Sequence, residues 1–175
     1  KTSSLITLNV MKPDFSWSCT NIEKIKSDNL LKKYIVLFPF CSAHLNIKKW
    51  PYYNELIELI KNKFNDKYKV VVAPGPSEIN DAKYIVATTI LDQNKALNIS
   101  QLSSLIKESS FVIANDTGPA HMSAHLESKG LALFGKHTTA FKVSIERENF
   151  KSIQVDDLKK LSAEKVFQRI SNILD

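Results

Sequence analysis

Phe111-Val112-Ile113-Ala114-Asn115-Asp116-Thr117-Gly118-Pro119-Ala120-His121 joins an apolar run to a polar turn and a proline-led segment. Its opening run, Phe-Val-Ile-Ala, has no polar position, the pattern of a strand buried on both faces. The strand ends in Asn-Asp-Thr-Gly, where short polar side chains bond nearby backbone and glycine reaches dihedrals closed to other residues. Pro119 fits the first position of a helix, where a missing N–H costs nothing. Residues 120–126 continue in helix-compatible sequence. Free amides and the positive end of a helix dipole make such a turn a seat for an anion, a phosphate above all. An ordinary capped strand-to-helix turn has the same local sequence, so the surroundings must decide between the two.

Working outward, Gly130-Leu131-Ala132-Leu133-Phe134 is a second buried strand, ending in Gly135-Lys136-His137-Thr138-Thr139. A short strand follows near Ile153, and Ser162 caps a final helix to Leu174. In the other direction, Ser100 is read as the cap of a helix through Lys107 that turns Leu102, Leu105 and Ile106 inward. Residues 96–99 are a candidate short strand; residues 78–87 read as helix, with a competing β-rich run over 86–90. Val70-Val71-Val72-Ala73 is a strand closed by Pro74-Gly75-Pro76-Ser77-Glu78, which forces a loop. Tyr34-Ile35-Val36-Leu37-Phe38 is a strand closed by Pro39, and a polar loop from Cys41 to Lys49 follows. Trp50-Pro51 then opens a helix with Tyr53, Leu56, Ile57 and Ile60 on one face. Residues 1–33 carry no clear overall period. They hold an edge-strand candidate over 3–10 and helical spacing at Ile22, Ile25 and Leu30, and are read as a linker or the remnant of a preceding domain.

Strands alternating with helices over 34–175 specify an α/β, Rossmann-like domain, a parallel sheet with helices on both faces. Right-handed crossovers deliver every strand-to-helix loop to the carboxyl edge of that sheet. The loops 40–49, 74–78, 115–118 and 135–139 therefore share one rim, with cations, hydroxyls, a carboxylate and free amides among them. A nucleoside diphosphate suits such a rim. Both Gly-x-Gly-x-x-Gly and Gly-x4-Gly-Lys-Ser/Thr are missing, which argues against a dehydrogenase or an ATPase. Lys48 lies on the loop facing the Asp116 turn, either as a surface lysine or as the cation that neutralises a departing pyrophosphate. His121 and His125 stand four apart on one helix. That spacing suits a metal pair, but Met122 replaces the glutamate of the zinc-protease motif and no third ligand is evident, so no metal is expected. His121, in the first turn, is expected to face the rim. No nucleophile elbow supports a serine triad.

The chain of 175 residues is long enough for one large core, and it begins with Lys. Its net charge of +6 comes from lysines scattered among acids, a solvated surface rather than a nucleic-acid groove. Mild attraction to an anionic membrane surface or a phosphorylated substrate is compatible with that charge. Cys19 and Cys41 match no metal or redox spacing, and a reducing compartment is the simplest reading. No apolar run approaches bilayer length.

Asn115-Asp116-Thr117-Gly118-Pro119-Ala120-His121-Met122-Ser123-Ala124-His125-Leu126, followed by Leu133-Phe134-Gly135, closely resembles the signature of the ADP-heptose:lipopolysaccharide heptosyltransferases, glycosyltransferase family 9. Lys48-Lys49-Trp50-Pro51 resembles the family's Lys-x-Trp-Pro segment, and Pro74-Gly75-Pro76-Ser77-Glu78 its glycine-containing loop closed by glutamate. The resemblance runs from about Tyr34 to Leu174 and implies the C-terminal, nucleotide-sugar-binding half of a GT-B enzyme. It implies that Lys48 and Ser42 meet the phosphates and that Glu78 holds the ribose. Asp116 would contact the donor sugar, and Thr117, Gly118 and His121 would line the diphosphate. It further implies an ADP-sugar donor, a lipopolysaccharide or other glycan acceptor, no metal and no cofactor. The catalytic base would be an aspartate of an N-terminal domain, and the enzyme would be cytoplasmic, at the inner face of the cytoplasmic membrane. Ser123 and His125 stand where small alanines are common, which bears on the sugar. The alternatives are a non-catalytic sugar-nucleotide-binding module and a different GT-B enzyme such as a sugar-nucleotide epimerase.

Overall fold

The computed structural model describes residues 15–175; the strand expected over 3–10 lies outside the described residues. Six strands form one sheet: β1 (Tyr34–Phe38), β2 (Lys69–Val72), β3 (Thr88–Thr89), β4 (Phe111–Asn115), β5 (Gly130–Phe134) and β6 (Phe150–Gln154), in the order β3-β2-β1-β4-β5-β6. Every pairing is parallel, with Val36 opposite Val71 on one side and Val112 on the other. The helices are α1 (Glu23–Asp28), α2 (Tyr53–Phe64), α3 (Ile79–Ala82), α4 (Ile99–Lys107), α5 (Gly118–His125) and α6 (Ala163–Leu174).

The continuous apolar strands are explained by two cores, one on each face. Ile35, Leu37, Phe111 and Ile113 turn to the face covered by α2 and α6, where Leu56, Ile57, Ile60, Val166 and Ile170 meet them. Tyr34, Val36, Phe38, Val112 and Ala114 turn the other way, against Ala120 and Ala124 of α5, Leu105 and Ile106 of α4, Ile25 of α1 and Ile22 at its N-cap. Ile22, Ile25 and Leu31, from the segment expected as linker or remnant, are thus part of the second core. Each aliphatic side chain buried in this way contributes about 1.5–3 kcal/mol relative to exposure. Strand order reverses between β1 and β4, the topological switch point, where a crevice opens beyond the carboxyl ends.

Several local expectations are corrected. The helix expected over 78–87 stops at Ala82. The Asn54 side chain donates to the Tyr84 carbonyl and accepts from the Val86 amide, which captures the backbone before β3. The strand expected over 96–99 does not form: residues 96–98 run from a tight turn at 92–95 into the cap of α4, and Ile99 is already helical. Asp92 and Lys95 exchange backbone bonds of 2.9 Å around Gln93 and Asn94, both with positive φ. Asn98, not Ser100, caps α4, because its side chain accepts from the Gln101 amide while the Gln101 side chain accepts from the Asn98 amide. The helix expected from Trp50-Pro51 begins at Tyr53, since the buried Trp50 indole is held by the Leu161 carbonyl at 2.7 Å. Among the described residues no helix is long and apolar enough to cross a membrane.

Candidate functional site at the switch point

β1 and β4 deliver their carboxyl ends side by side, and the loops beyond them wall a cavity of about 450 Å³. Ser42, Lys48, Glu78, Asp116, Thr117 and Gly118, all expected at the rim, line this one cavity. Phe40, Leu97, Ile99 and Leu102 give it an apolar flank. His121 is not in the lining; its ring stands behind Asp116, with Nε2 3.5 Å from Oδ1.

Asn115, the last residue of β4, explains how the loop bearing Lys48 is placed. It is fully buried; Oδ1 accepts from the Trp50 amide at 3.3 Å and the Tyr53 hydroxyl at 3.1 Å, and Nδ2 donates to the Pro39 carbonyl at 2.8 Å. Burial pushes the Tyr53 phenol well above its ordinary range, against the opposing bond to Asn115. The residues from Pro39 to Trp50 are thereby pinned at both ends to β4.

Asp116 is the electrostatic centre. Its side chain is only 5% exposed. Lys48 Nζ donates to Oδ2 at 2.7 Å, and His137 Nε2 lies 3.0 Å from the same oxygen. Burial by itself raises this carboxyl's pKa. Hydrogen bonds from His121, Lys48 and His137, with the charge of Lys48, outweigh burial and hold it well below the usual carboxylate range. An ionised carboxylate has no proton to give, so both histidines present an N–H to it. The Lys48 side chain is 22% exposed and its ammonium has three N–H donors, so it can serve Asp116 and an anion in the cavity together.

The helix N-terminus offers less than expected. Gly118, not Pro119, is the first residue of α5; Pro119 has no N–H, and the Ala120 and His121 amides both donate to the Thr117 carbonyl. The Gly118 amide is the open donor. Thr117 Oγ1 bonds back to the Asn115 carbonyl at 3.3 Å and retains lone pairs toward the cavity. Across the cavity, Glu78 Oε2 accepts from the Gly75 amide at 2.8 Å, which sets the carboxylate against the Pro74–Pro76 wall. His125 points elsewhere, with its ring 5.1 Å from that of Phe15. Burial lowers its pKa, helped by the charges of Arg147 and His121. Among the described residues no three His, Cys, Asp or Glu side chains are grouped to hold a metal.

Comparison with known proteins decides the family. The family model described as glycosyltransferase family 9 (heptosyltransferase) matches residues 6–170. The chain belongs to glycosyltransferase family 9. Comparison with curated protein sequences gives no significant match. Among solved structures, the family 9 chain is similar to Escherichia coli heptosyltransferase WaaC with ADP (TM-score 0.68, 21% identity), covering 81% of this chain and 44% of that one. It is also similar to E. coli ADP-heptose lps heptosyltransferase II (TM-score 0.71, 17% identity; 87% and 50% covered). A putative UDP-N-acetylglucosamine 2-epimerase from Listeria monocytogenes shares the fold as well (TM-score 0.61, 16% identity; 90% and 41% covered). The chain spans about half or less of the length of these structures. The likeness establishes the Rossmann-like architecture common to GT-B glycosyltransferases and epimerases.

Sequence reasoning missed His137 and the linking role of Asn115. His137 belongs to a loop already assigned to the rim, and an aspartate that turns to meet that loop is the one signal available. Asn115 reads as a turn residue, although an amide at the end of an apolar strand has to find partners once buried.

Proposed function

We propose that this chain is the donor-binding half of an inverting glycosyltransferase, which takes heptose from ADP-heptose to a lipopolysaccharide acceptor. One observation carries the reading: in one cavity, a lysine and an open helix amide stand opposite a carboxylate, beside an apolar flank. Leu97, Ile99 and Leu102 seat the adenine, and Glu78 accepts hydrogen bonds from the ribose hydroxyls. Lys48, the Gly118 amide, the Thr117 hydroxyl and Ser42 meet the diphosphate, and Asp116 faces the sugar.

In the reaction the acceptor oxygen attacks the anomeric carbon and the bond to the diphosphate breaks. The electron pair leaves with ADP, and the hydroxyl proton passes to a base. Lys48 and the Gly118 amide answer the charge that grows on the departing diphosphate, the role a divalent ion has elsewhere. The base is assigned to an aspartate of a second domain, because Lys48 and the two histidines hold Asp116 well below the usual carboxylate range and so make it a weak proton acceptor. The acceptor places the protein at the cytoplasmic face of the inner membrane. No metal and no cofactor take part.

A thermal-shift panel of ADP, UDP, GDP and CDP tests this reading, since a ligand held only by the folded state at ~100 times its Kd adds about 2.7 kcal/mol. ADP is expected to give the largest shift. Equal shifts from all four contradict the choice of adenine, and no shift from any contradicts donor binding.

A further inference from the structure

His137 is a histidine whose surroundings provide one task. Its side chain is 9% exposed, and its ring runs nearly parallel to that of Phe134, with centroids 6.3 Å and planes 18° apart. Nδ1 is buried and has no hydrogen-bond partner. The one polar contact of the ring is Nε2 to Asp116 Oδ2, at 3.0 Å. A buried orphan nitrogen is unfavourable, so a site that keeps one has another reason for the ring. The reason lies in which oxygen it serves. Oδ2 is also the oxygen gripped by Lys48 at 2.7 Å, whereas His121 stands 3.5 Å from Oδ1.

We infer that His137 is a positioning residue that frees Lys48 for the diphosphate, by sharing Asp116 Oδ2 with it. The inference rests on the donor-binding role of Lys48. With the His137 N–H in place, the carboxylate stays hydrogen-bonded at Oδ2 when the ammonium turns toward phosphate. Without it, moving Lys48 leaves Oδ2 of a buried carboxylate bare, which is costly enough to keep the lysine where it is. Asp116, Lys48 and His137 come from the loops after β4, β1 and β5, so three rim segments converge on one atom.

Two substitutions separate the N–H from the bulk of the ring. His137→Leu keeps apolar volume against Phe134 and removes the donor, whereas His137→Gln retains a donor near the position of Nε2. ADP and adenosine affinities are measured by calorimetry on the 175-residue chain. His137→Leu is expected to weaken ADP by about fivefold or more, a hydrogen-bond-sized effect, and to leave adenosine, which has no phosphate, within about twofold. His137→Gln is expected to bind ADP within about twofold of the original chain. In an Asp116→Asn background, which removes the charge holding Lys48, the ADP penalty of His137→Leu is expected to vanish. Equal ADP affinity in the Leu and Gln variants overturns the inference, as does a penalty that persists in the Asp116→Asn background or that is shared by adenosine. If the unsubstituted chain binds no ADP, the donor-binding reading itself fails, and that result is distinct from all of these.

Discussion

Asn115 Oδ1 accepts the backbone N–H of Trp50 at 3.3 Å, and this bond fastens the loop that carries Lys48 to the strand that leads into Asp116. The same side chain holds the Tyr53 hydroxyl and the Pro39 carbonyl inside the protein. Asn115→Ala removes this partner from the Trp50 amide and the Pro39 carbonyl and leaves the Tyr53 hydroxyl to the Phe38 carbonyl alone. A loss of about 2–4 kcal/mol in folding stability is expected, read as a lower urea midpoint at constant slope. A midpoint unchanged by the substitution would show that the knot is redundant.

Asp116 gives the protein a signature in acid. Its carboxyl is held below its ordinary value of 3.8, so between that value and the folded-state value the unfolded chain binds more protons. The resulting stability is complete above the unfolded pKa and is lost as pH falls through the folded one. Stability from pH 6 to 2 is therefore expected to decline less steeply in Asp116→Asn than in the original chain. Parallel curves would contradict the ion-pair assignment.

Gly130 opens β5 where no side chain fits. A Cβ there would stand 2.5 Å from the Phe150 ring and 2.8 Å from the Val112 carbonyl oxygen. Phe150 is fully buried and the carbonyl is backbone, so neither yields cheaply. Gly130→Ala is expected to cost about 1–3 kcal/mol by overpacking, measured by thermal or urea unfolding. A neutral result would mean that β5 and β6 can move apart.

The sheet is legible because a parallel sheet buried on both faces writes itself as unbroken apolar runs. The runs over 34–38, 70–73 and 130–134 fall within a residue of the observed strands. The rim follows from chain order alone, and with it the placing of Lys48 against Asp116. What stays hidden is decided by contacts far apart in sequence. Asn54 ends the helix at Ala82 by holding backbone some thirty residues on, which no local period records. His137 reaches Asp116 from 21 positions away, and a histidine in a polar loop carries no signal of such a partner. The open amides are overcounted because local sequence does not show that the Thr117 carbonyl takes those of Ala120 and His121.

Donor binding is expected to be independent of metal, because Lys48 and the Gly118 amide supply the positive field at the diphosphate. ADP affinity in excess EDTA and in millimolar Mg²⁺ should agree within about twofold, well below a 1 kcal/mol effect. Loss of binding in EDTA with recovery on adding Mg²⁺ would assign the charge to an ion instead.

Lys48 is the cation on which the diphosphate site depends. Calorimetric titration of ADP and of adenosine into the original chain and Lys48→Ala compares the phosphate part of binding with the base and ribose part. Removal of a charge-assisted bond should cost about 1.5–3 kcal/mol, a rise of about 10- to 150-fold in the ADP Kd, with adenosine affinity nearly unchanged. ADP bound equally well by both chains would contradict the assignment of this cavity as a diphosphate site built on Lys48.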